Sequence, residues 1–319
     1  MVDAAKNLSF IFPGQGSQSV GMGRSLHDAY AVARDAFEEA NDALGMDLRK
    51  LCFEGPEAGL NLTENTQPAL LAASVAALRA FRAEFPAIFP AFVAGHSLGE
   101  YTALVASEVI GFSDALRLVR LRGRLMQVFA AEGTGMMSAV MGLTPEEVSE
   151  ICASVSSENE KVVAANINSP EQVVISGHRA AVLMAGEEAV KKGAKRVIEL
   201  PVSVPSHSPL MERAASRLDE ELSRIAFGNF NVPLITNVEA EPALSPERMR
   251  GLLTRQLTSP VRWVDVIRKM RALGVSTTIE IGPGRVLSGL VRRIDRDITA
   301  LNFSAPQDVA AIRGFFVLR

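Results

Sequence analysis

Residues 95–99 read Gly-His-Ser-Leu-Gly and form the segment with the clearest chemical potential. They follow a short apolar run and precede a predicted helix that begins near Glu100. This G-x-S-x-G spacing is typical of a serine nucleophile on a sharp turn between a strand and a helix, where side chains two positions away would collide. The helix N-terminus favours developing negative charge, and the N–H of Leu98 can donate to an oxyanion. The pattern predicts that Ser97 is a nucleophile, against the alternative of an ordinary glycine-rich turn.

A serine nucleophile needs a proton acceptor, most often histidine, and the chain has four histidines. His207 follows a predicted strand, in a loop that Pro205 and Pro209 make rigid, which suits a base held in place. The other three histidines have simpler explanations as a solvated helix residue, a neighbour that points away from the serine, and a helix-start residue: His27, His96 and His178. His207 is therefore the candidate base.

No carboxylate in the sequence completes a Ser-acid-His triad in the order that α/β hydrolases use. The only aspartate between Ser97 and His207 is Asp114, at a helix start where interaction with the helix dipole explains it. Several glutamates lie in the same interval, but none stands in a convincing loop. The sequence therefore favours a Ser–His dyad whose histidine is oriented by something other than a carboxylate.

Arg122 is a charged residue on the apolar side of a predicted helix over residues 114–129. It lies three residues after Val119 and three before Leu125, both on the apolar stripe, whereas the other three arginines of the helix lie on the opposite side. A guanidinium group that faces a core needs an anion, because an unpaired buried charge is costly. Its partner is either a structural carboxylate or a substrate carboxylate, which arginine can grip with two hydrogen bonds.

The elements that must position these residues alternate between short strands and helices, which indicates a parallel α/β sheet covered on both faces. Between residues 133 and 203 the order becomes β-α-β-β-α-β, the ferredoxin-like pattern. We therefore predict an α/β core over 1–132 and 204–319 and an inserted ferredoxin-like subdomain over 133–203. Predicted strands span 8–12, 92–94, 136–141, 162–166, 172–176, 195–200, 234–237 and 277–281. Predicted helices span 68–85, 114–129, 179–192, 210–225, 246–257 and 261–273, with another that begins at a capping box over 144–147.

Composition excludes several classes of protein. The chain has 319 residues with a net charge of −3, which gives no argument for nucleic acid. Its two cysteines have no ligand-like spacing, so we expect neither a disulfide nor a metal site. The sequence contains no apolar run long enough to span a membrane and no signal-peptide pattern, so a cytoplasmic protein is expected. Gly282-Pro283-Gly284 lacks the G-x-G-x-x-G pattern of a nucleotide-binding loop, which favours a structural turn.

Six motifs together resemble the malonyl-CoA:acyl carrier protein transacylases, and they occur in family order over nearly the whole chain. They lie at residues 12–18 (FPGQGSQ), 95–101 (GHSLGEY), 121–123 (LRG), 205–207 (PSH), 256–257 with 260–261 (QL and PV), and 281–284 (IGPG). The resemblance implies a hydrolase-like α/β core with a ferredoxin-like insertion. The sequence differs from some relatives at Ser208, where they carry cysteine, and this difference changes no step of the expected mechanism.

The resemblance also implies residue roles. Ser97 would be the nucleophile, His207 its base, and Arg122 the group that binds the malonyl carboxylate. The other implied residues are an oxyanion hole from the N–H groups of Gln15 and Leu98, a main-chain carbonyl of Gln256 that orients His207, and two residues that line the cleft between the subdomains, Met126 and Asn166.

The expected activity is ping-pong transfer of malonyl from malonyl-CoA to the phosphopantetheine thiol of an acyl carrier protein, without a metal or redox cofactor. A monomer that binds neither nucleic acid nor membrane is expected. An esterase or thioesterase that uses the same Ser–His pair with water is the alternative function. Because carrier proteins of this kind are acidic, their docking surface should be locally basic, and the candidate residues are Lys191, Lys192, Lys195, Arg196, Arg285, Arg292 and Arg293.

Overall fold

The chain folds around two separate β-sheets, in a computed structural model that describes residues 7–130, 135–202, 204–243 and 245–317. The strands are β1 Leu8–Phe12, β2 Phe92–Gly95, β3 Gly135–Met141, β4 Val162–Ser169, β5 Gln172–His178, β6 Arg196–Glu199, β7 Leu234–Ile235, β8 Pro242–Ala243, β9 Thr277–Ile281 and β10 Thr299–Phe303. The mixed α/β fold class predicted from the sequence is confirmed, with one largely parallel sheet and one antiparallel sheet.

Helices pack against both sheets. They are α1 Arg24–Ala29, α2 Ala31–Leu44, α3 Leu48–Glu54, α4 Glu57–Leu60, α5 Thr63–Glu84, α6 Gly99–Ala106, α7 Phe112–Phe129, α8 Pro145–Val155, α9 Arg179–Lys191, α10 Glu212–Leu222, α11 Pro246–Gln256, α12 Trp263–Ala272, α13 Val286–Ile294 and α14 Asp308–Val317. A short 3₁₀ turn, Pro209–Met211, precedes α10. The capping box predicted at the start of α8 is present, with Thr144 and Glu147 bonded reciprocally.

The larger sheet has the strand order β10-β9-β1-β2-β7-β8, and only the edge pair β7–β8 is antiparallel. Alternate residues of β1 enter different hydrophobic clusters, because successive side chains of a strand point to opposite faces. Phe10 and Phe12 pack with α2, α5 and α7, whereas Ile11 packs with α12 and α13. The sheet is therefore covered on both faces. The carboxyl ends of β1 and β2 lead into the loops that carry the candidate site.

The smaller sheet is antiparallel, with the order β4-β5-β3-β6, which is the ferredoxin-like arrangement for β-α-β-β-α-β connectivity. Helices α8 and α9 cover one face and form a separate hydrophobic cluster with it. Two backbone hydrogen bonds join β4 to the segment just before α12: the N–H of Ile167 donates to Val261 at 2.9 Å, and the N–H of Val261 donates to Ala165 at 2.9 Å. Both predicted boundaries of the insertion fall beside residues 131–134 and 203, outside the described residues, so the division into 133–203 and the rest stays a prediction.

Several predicted elements differ in extent from those observed. Helix α5 begins at Thr63 rather than at residue 68, and Pro68 lies inside it. The apolar residues that follow the proline, Ala69, Leu70 and Leu71, are fully buried, and their packing outweighs the local cost of the proline. The side chain of Gln127 accepts a hydrogen bond from the Glu64 N–H at 2.7 Å at the helix start. The sequence analysis placed His27 in a helix, which α1 confirms, but it did not predict α2–α4, α14, β8 or β10. Helix α2 could have been recognised, because its buried residues recur at helical spacing: Ala33, Ala36, Phe37 and Ala40.

Candidate active site

Ser97 stands between β2 and α6 with φ of 51°, a left-handed conformation that is rare for serine. Both flanking glycines of the motif are required by contact. A Cβ on Gly95 would lie 1.9 Å from the carbonyl carbon of Gly99, and a Cβ on Gly99 would lie 2.1 Å from the carbonyl oxygen of Phe12. The turn is thus sharp enough that only hydrogen fits at both positions, and it leaves the Ser97 side chain at the surface of a cleft.

Asn237 supports this turn from the loop after β7, a role that sequence reasoning missed. Its Oδ1 accepts from the N–H of Ser97 at 2.7 Å and its Nδ2 donates to the carbonyl of Gly95 at 2.7 Å. The side chain is fully buried. Strand β7 ends at Ile235 rather than at the predicted residue 237, and Asn237 is then free to point at the turn. An asparagine at the end of a short predicted strand was the only signal in the sequence.

His207 lies beside the serine, also in the left-handed region with φ of 59°. Its Nε2 is 2.8 Å from Oγ of Ser97, and its Nδ1 is 2.7 Å from the main-chain carbonyl oxygen of Gln256. Because a carbonyl can only accept, Nδ1 carries the proton and Nε2 is the free acceptor. Burial and the nearby positive charge of Arg122 lower the pKa of His207 to about 3. The imidazole is therefore neutral at physiological pH and can receive the Ser97 proton.

Arg122 lies in the buried part of the same site, with 1% of its surface exposed. Its Nη1 donates to Oε1 of Gln67 at 2.9 Å, and its Nη2 donates to Oε1 of Gln256 at 3.0 Å and approaches Oγ of Ser97 at 3.3 Å. The guanidinium also stacks over the Tyr101 ring at 5.4 Å. Within the described part of the chain it forms no ion pair, and its Nε has no hydrogen-bond partner. Of the two partners considered from the sequence, a structural carboxylate in direct contact is absent among the described residues.

The candidate oxyanion donors lie on two adjoining loops. The loop at 13–16 packs closely against the nucleophile turn, because a Cβ on Gly14 would lie 2.3 Å from the carbonyl oxygen of His96. Among the described residues, neither the N–H of Gln15 nor that of Leu98 donates to a protein acceptor. Two free N–H groups beside a serine hydroxyl are what an oxyanion hole needs.

A cleft of about 370 Å³ opens in front of Ser97 between the two sheets. Met126 and Asn166 line it, as the resemblance implies, together with Gln15, Arg122 and His207. Gln256 is not a lining residue; it is 1% exposed and lies behind Arg122 and His207, where it contacts both. Six of the eight candidate residues thus line the cleft, Leu98 directly follows its serine, and Gln256 lies one layer deeper, where its Nε2 donates to the Ser97 carbonyl at 3.1 Å.

Two of the remaining histidines and the glycine-rich loop have structural roles. The side chain of His27 is only 16% exposed and packs its ring edge-on against Phe37 and Phe53, so the expectation of a solvated side chain was wrong. His178 accepts from the N–H of Lys161 at 2.8 Å rather than capping its helix. Gly282 packs on Pro13, where a Cβ would lie 3.0 Å from the ring, which fits a structural turn.

Two further searches of the described residues bear on function. They contain no group of three or more histidine, cysteine, aspartate or glutamate side chains placed to hold a metal ion. None of their helices combines the length and the apolar character that crossing a membrane requires.

The parallel sheet, the serine turn and the paired histidine are the features of an enzyme that forms an acyl intermediate on a serine. Residues 9–305 match the family described as "Acyl transferase domain", and the chain belongs to that family. Within it, the chain is 45% identical over 312 residues to the malonyl CoA-acyl carrier protein transacylase of Haemophilus influenzae, covering 98% of this chain and 100% of that protein. The chain therefore belongs to the malonyl CoA-acyl carrier protein transacylases, and the resemblance stated from its motifs is confirmed.

Solved structures agree with this assignment. An acyl carrier protein S-malonyltransferase from Vibrio cholerae superposes with a TM-score of 0.93 at 45% identity, covering 96% of this chain and 99% of that one. A malonyl-transacylase in complex with a type II PKS acyl-carrier protein superposes with a TM-score of 0.93 at 45% identity, covering 96% and 98%. Neither comparison supports the alternative of an esterase or thioesterase.

Proposed function

We propose that this chain transfers the malonyl group of malonyl-CoA to the phosphopantetheine thiol of an acyl carrier protein, through a malonyl ester on Ser97. The observation that carries the proposal is the position of the Ser97 hydroxyl, whose Oγ lies 2.8 Å from a neutral histidine nitrogen and 3.3 Å from an unpaired guanidinium. One neighbour activates the serine. The other can hold the free carboxylate of a short diacid bound to that serine.

The first half of the reaction loads the enzyme. Nε2 of His207 takes the Ser97 proton while Oγ attacks the thioester carbonyl, and the oxygen that becomes negative is stabilised by the N–H groups of Gln15 and Leu98. The tetrahedral intermediate then collapses, and His207 returns the proton to the departing coenzyme A sulfur. The Gln256 carbonyl keeps the imidazole in the tautomer that this step needs.

The second half repeats the same steps with a different nucleophile. His207 takes a proton from the carrier thiol, the sulfur attacks the Ser97 ester, and Ser97 leaves with the proton restored. This cycle needs neither a metal nor a redox cofactor, and we propose that none takes part. The cytoplasmic location expected from the sequence stays a prediction.

Arg122 supplies selection for a carboxylate in this proposal. A guanidinium buried without an anion is costly, so a substrate that brings a carboxylate relieves a penalty that a neutral acyl group leaves in place. Its planar donors favour a carboxylate at a fixed distance from the reacting carbon, which suits malonyl.

The candidate basic residues for carrier docking differ in how much charge they leave unpaired. Lys191, Lys195 and Arg285 form ion pairs with Glu188, Glu171 and Asp308, at 2.7, 3.0 and 3.2 Å. Arg292 and Arg293 donate instead to a neutral carbonyl and a glutamine oxygen, at 2.9 and 3.0 Å. We therefore favour the surface of α13 over that of α9 as the docking surface for an acidic carrier protein.

Mass spectrometry of the intact protein tests the function. Brief exposure to malonyl-CoA should add one malonyl group to Ser97, and subsequent holo-acyl carrier protein should remove it as malonyl-carrier. Ser97→Ala should take up no label, whereas Ser113→Ala, at the half-buried start of α7 outside the motif, should label normally. Labelling of Ser97→Ala, or release of free malonate without transfer to the carrier thiol, would contradict the proposal.

A further inference from the structure

Glu100 is a buried carboxyl group behind the active site that the proposed transfer does not use. It lies in the first turn of α6 with 1% of its surface exposed. Its Oε2 accepts from Nε2 of Gln256 at 2.5 Å and from the N–H of Asn237 at 3.4 Å. Both of these partners in turn contact the backbone of Ser97.

Gln256 connects Glu100 to the two residues that meet the substrate. Its Oε1 accepts from Arg122, and its main-chain carbonyl accepts from His207, at 3.0 and 2.7 Å. An amide has one accepting and one donating end, so an acceptor at Glu100 decides which end faces Arg122. The Ser97 carbonyl accepts from the same Nε2 at 3.1 Å, so Glu100 is the nearer of two acceptors that keep the donating end of the amide away from the guanidinium.

The charges around Glu100 come from few groups. Helix α6 packs on β1, β2, α5 and α7. Among the described residues, the titratable or charged groups that face the carboxyl are Arg122 from α7 and Tyr101 from α6, with His207 beyond Gln256. Strands β1 and β2 carry no charged side chain, and α5 contributes neutral Gln67. Burial raises the pKa of Tyr101 to about 12 and lowers that of His207 to about 3, so both are neutral at pH 7.

Arg122 and Glu100 are therefore linked as opposite charges through one amide. Burial raises the pKa of Glu100 to about 7, while hydrogen bonds from Gln256 and Asn237 and the positive charge of Arg122 act in the opposite direction. A malonyl carboxylate on Arg122 would neutralise that positive charge and add a second anion to the buried site. Both effects favour the protonated form of Glu100.

We propose that Glu100 is a positioning residue that fixes the Gln256 amide, and that its carboxyl group takes up a proton from solvent when malonyl is loaded on Ser97. This inference rests on the proposed function. Loading itself moves the Ser97 proton through His207 to the coenzyme A sulfur, so it consumes no proton from solvent. The additional proton enters as the acyl group arrives, and it leaves again when the carrier thiol removes malonyl.

Proton uptake during single-turnover loading tests the coupling. A pH indicator in weak buffer reports protons per malonyl-Ser97, which is counted by mass spectrometry, after correction for ionisation of the free coenzyme A thiol. We expect more uptake at pH 8, where Glu100 begins ionised, than at pH 6, where it is already protonated. The matched variant Glu100→Gln keeps an acceptor for Gln256 but cannot ionise, and it should show no uptake at either pH.

The loading equilibrium supplies a second readout. The quantity measured is the equilibrium constant for formation of malonyl-Ser97, corrected for ionisation of the free coenzyme A thiol. As pH rises above about 7, this constant should fall in the wild type by up to about tenfold per pH unit. In Glu100→Gln it should not change. Wild-type uptake that is equal at pH 6 and pH 8 overturns the coupling, even if the variant does not fold. Absence of malonyl-Ser97 at both values of pH would instead contradict the proposed function itself.

The positioning role is tested separately by comparing two variants at pH 6, where the wild-type carboxyl is protonated. Glu100→Ala leaves the Gln256 amide with only the more distant Ser97 carbonyl as its acceptor and should lower kcat for transfer at least about tenfold relative to Glu100→Gln. KM for malonyl-CoA should rise as well, because Arg122 is less well oriented. Equal kcat in the two variants would overturn the positioning role.

Discussion

The Nη2 atom of Arg122 lies 3.3 Å from Oγ of Ser97, so the cation that can bind a substrate carboxylate directly adjoins the nucleophile. The acyl carbon on Ser97 and the carboxylate on Arg122 must then be separated by a very short spacer. Amide oxygens of Gln67 and Gln256 hold the guanidinium from behind at 2.9 and 3.0 Å. The arginine is therefore fixed by neutral groups, which leave its charge available to a ligand.

Arg122→Ala should damage malonyl transfer far more than stability. We expect kcat/KM for malonyl-CoA to fall by about 10² to 10³-fold, the size typical for loss of a preorganised electrostatic contact. Transfer of acetyl should be retained or rise, because a neutral acyl group no longer leaves a buried arginine unpaired. Initial rates with both thioesters measure this. If the arginine instead served a structural ion pair, the variant would lose about 3–5 kcal/mol in the free energy of unfolding.

Gly95→Ala should destroy the turn that presents the nucleophile. Its Cβ would fall 1.9 Å from the carbonyl carbon of Gly99 and 2.5 Å from the nitrogen of Glu100, both backbone atoms that cannot move independently. We expect loss of malonyl labelling and a lower midpoint of thermal unfolding. Gly289→Ala in α13, where an added Cβ meets no atom within 4 Å, is the control and should be stabilised by about 0.5–1 kcal/mol. Normal labelling of Gly95→Ala would contradict the steric argument.

The serine turn could be predicted from sequence because adjacent residues determine it. Gly95, Ser97 and Gly99 lie within one short segment, and the composition of the residues on either side predicts a strand before it and a helix after it. His207 lies 110 residues from Ser97 in the chain, so a rigid loop after a strand made it a candidate without placing it beside the serine. Such a contact depends on how β2 and the loop before α10 pack, which local patterns do not specify.

The residues that sequence reasoning missed act through tertiary contacts. Asn237 lies in a loop that has no recognisable motif. Its role follows from the fold, which brings its side chain within 2.7 Å of the backbone of Gly95 and Ser97. Glu100 carried one weak signal, as the only charged residue in α6. The same limit applies to Pro68, which was predicted as the first residue of a helix but lies inside α5, because tertiary packing extends that helix back to Thr63.

Asn237→Ala should cost both stability and activity. It strands the buried N–H of Ser97 and the carbonyl of Gly95, and each unsatisfied buried group costs about 1–3 kcal/mol. Chemical denaturation should therefore show a loss of several kcal/mol, and kcat should fall because the nucleophile turn loosens. Asn231→Ala removes an exposed hydrogen bond to Glu108 and is the matched control, with an expected change within about 0.5 kcal/mol. Equal effects of the two substitutions would exclude a supporting role for Asn237.

The rate of malonyl loading should not decline as pH falls from 8 to 5. Burial and the charge of Arg122 lower the pKa of His207 to about 3, so the base remains neutral throughout this interval. A histidine with its ordinary pKa of 6.5 would be mostly protonated at pH 5 and unable to accept the Ser97 proton. Rapid-quench measurement of malonyl-Ser97 formation at saturating malonyl-CoA gives the profile. An acid limb centred near pH 6.5 would show that His207 is not held neutral.

The lowered pKa of His207 also makes stability depend on pH, with a sign opposite to that of Glu100. Between pH 6.5 and 3 the unfolded chain binds a proton at His207 that the folded protein excludes, so this residue destabilises the fold as pH falls. Glu100, whose folded pKa is raised from 4.5 to about 7, stabilises the fold most below pH 4.5 and loses that contribution as pH rises to 7. The two contributions oppose each other over the interval from pH 4.5 to 6.5.

Replacing either Glu100 or His207 should therefore expose the contribution of the other to the pH dependence of stability. In Glu100→Gln the free energy of unfolding should fall as pH is lowered from 6.5 to 5, by up to about 1.4 kcal/mol per pH unit more than in the wild type. In His207→Gln, which cannot ionise, it should instead rise over the same interval, because Glu100 remains. Urea denaturation of the three proteins at pH 5 and 6.5 measures both slopes. Parallel pH dependence in the two variants would mean that neither pKa is shifted in the folded protein by the contacts described.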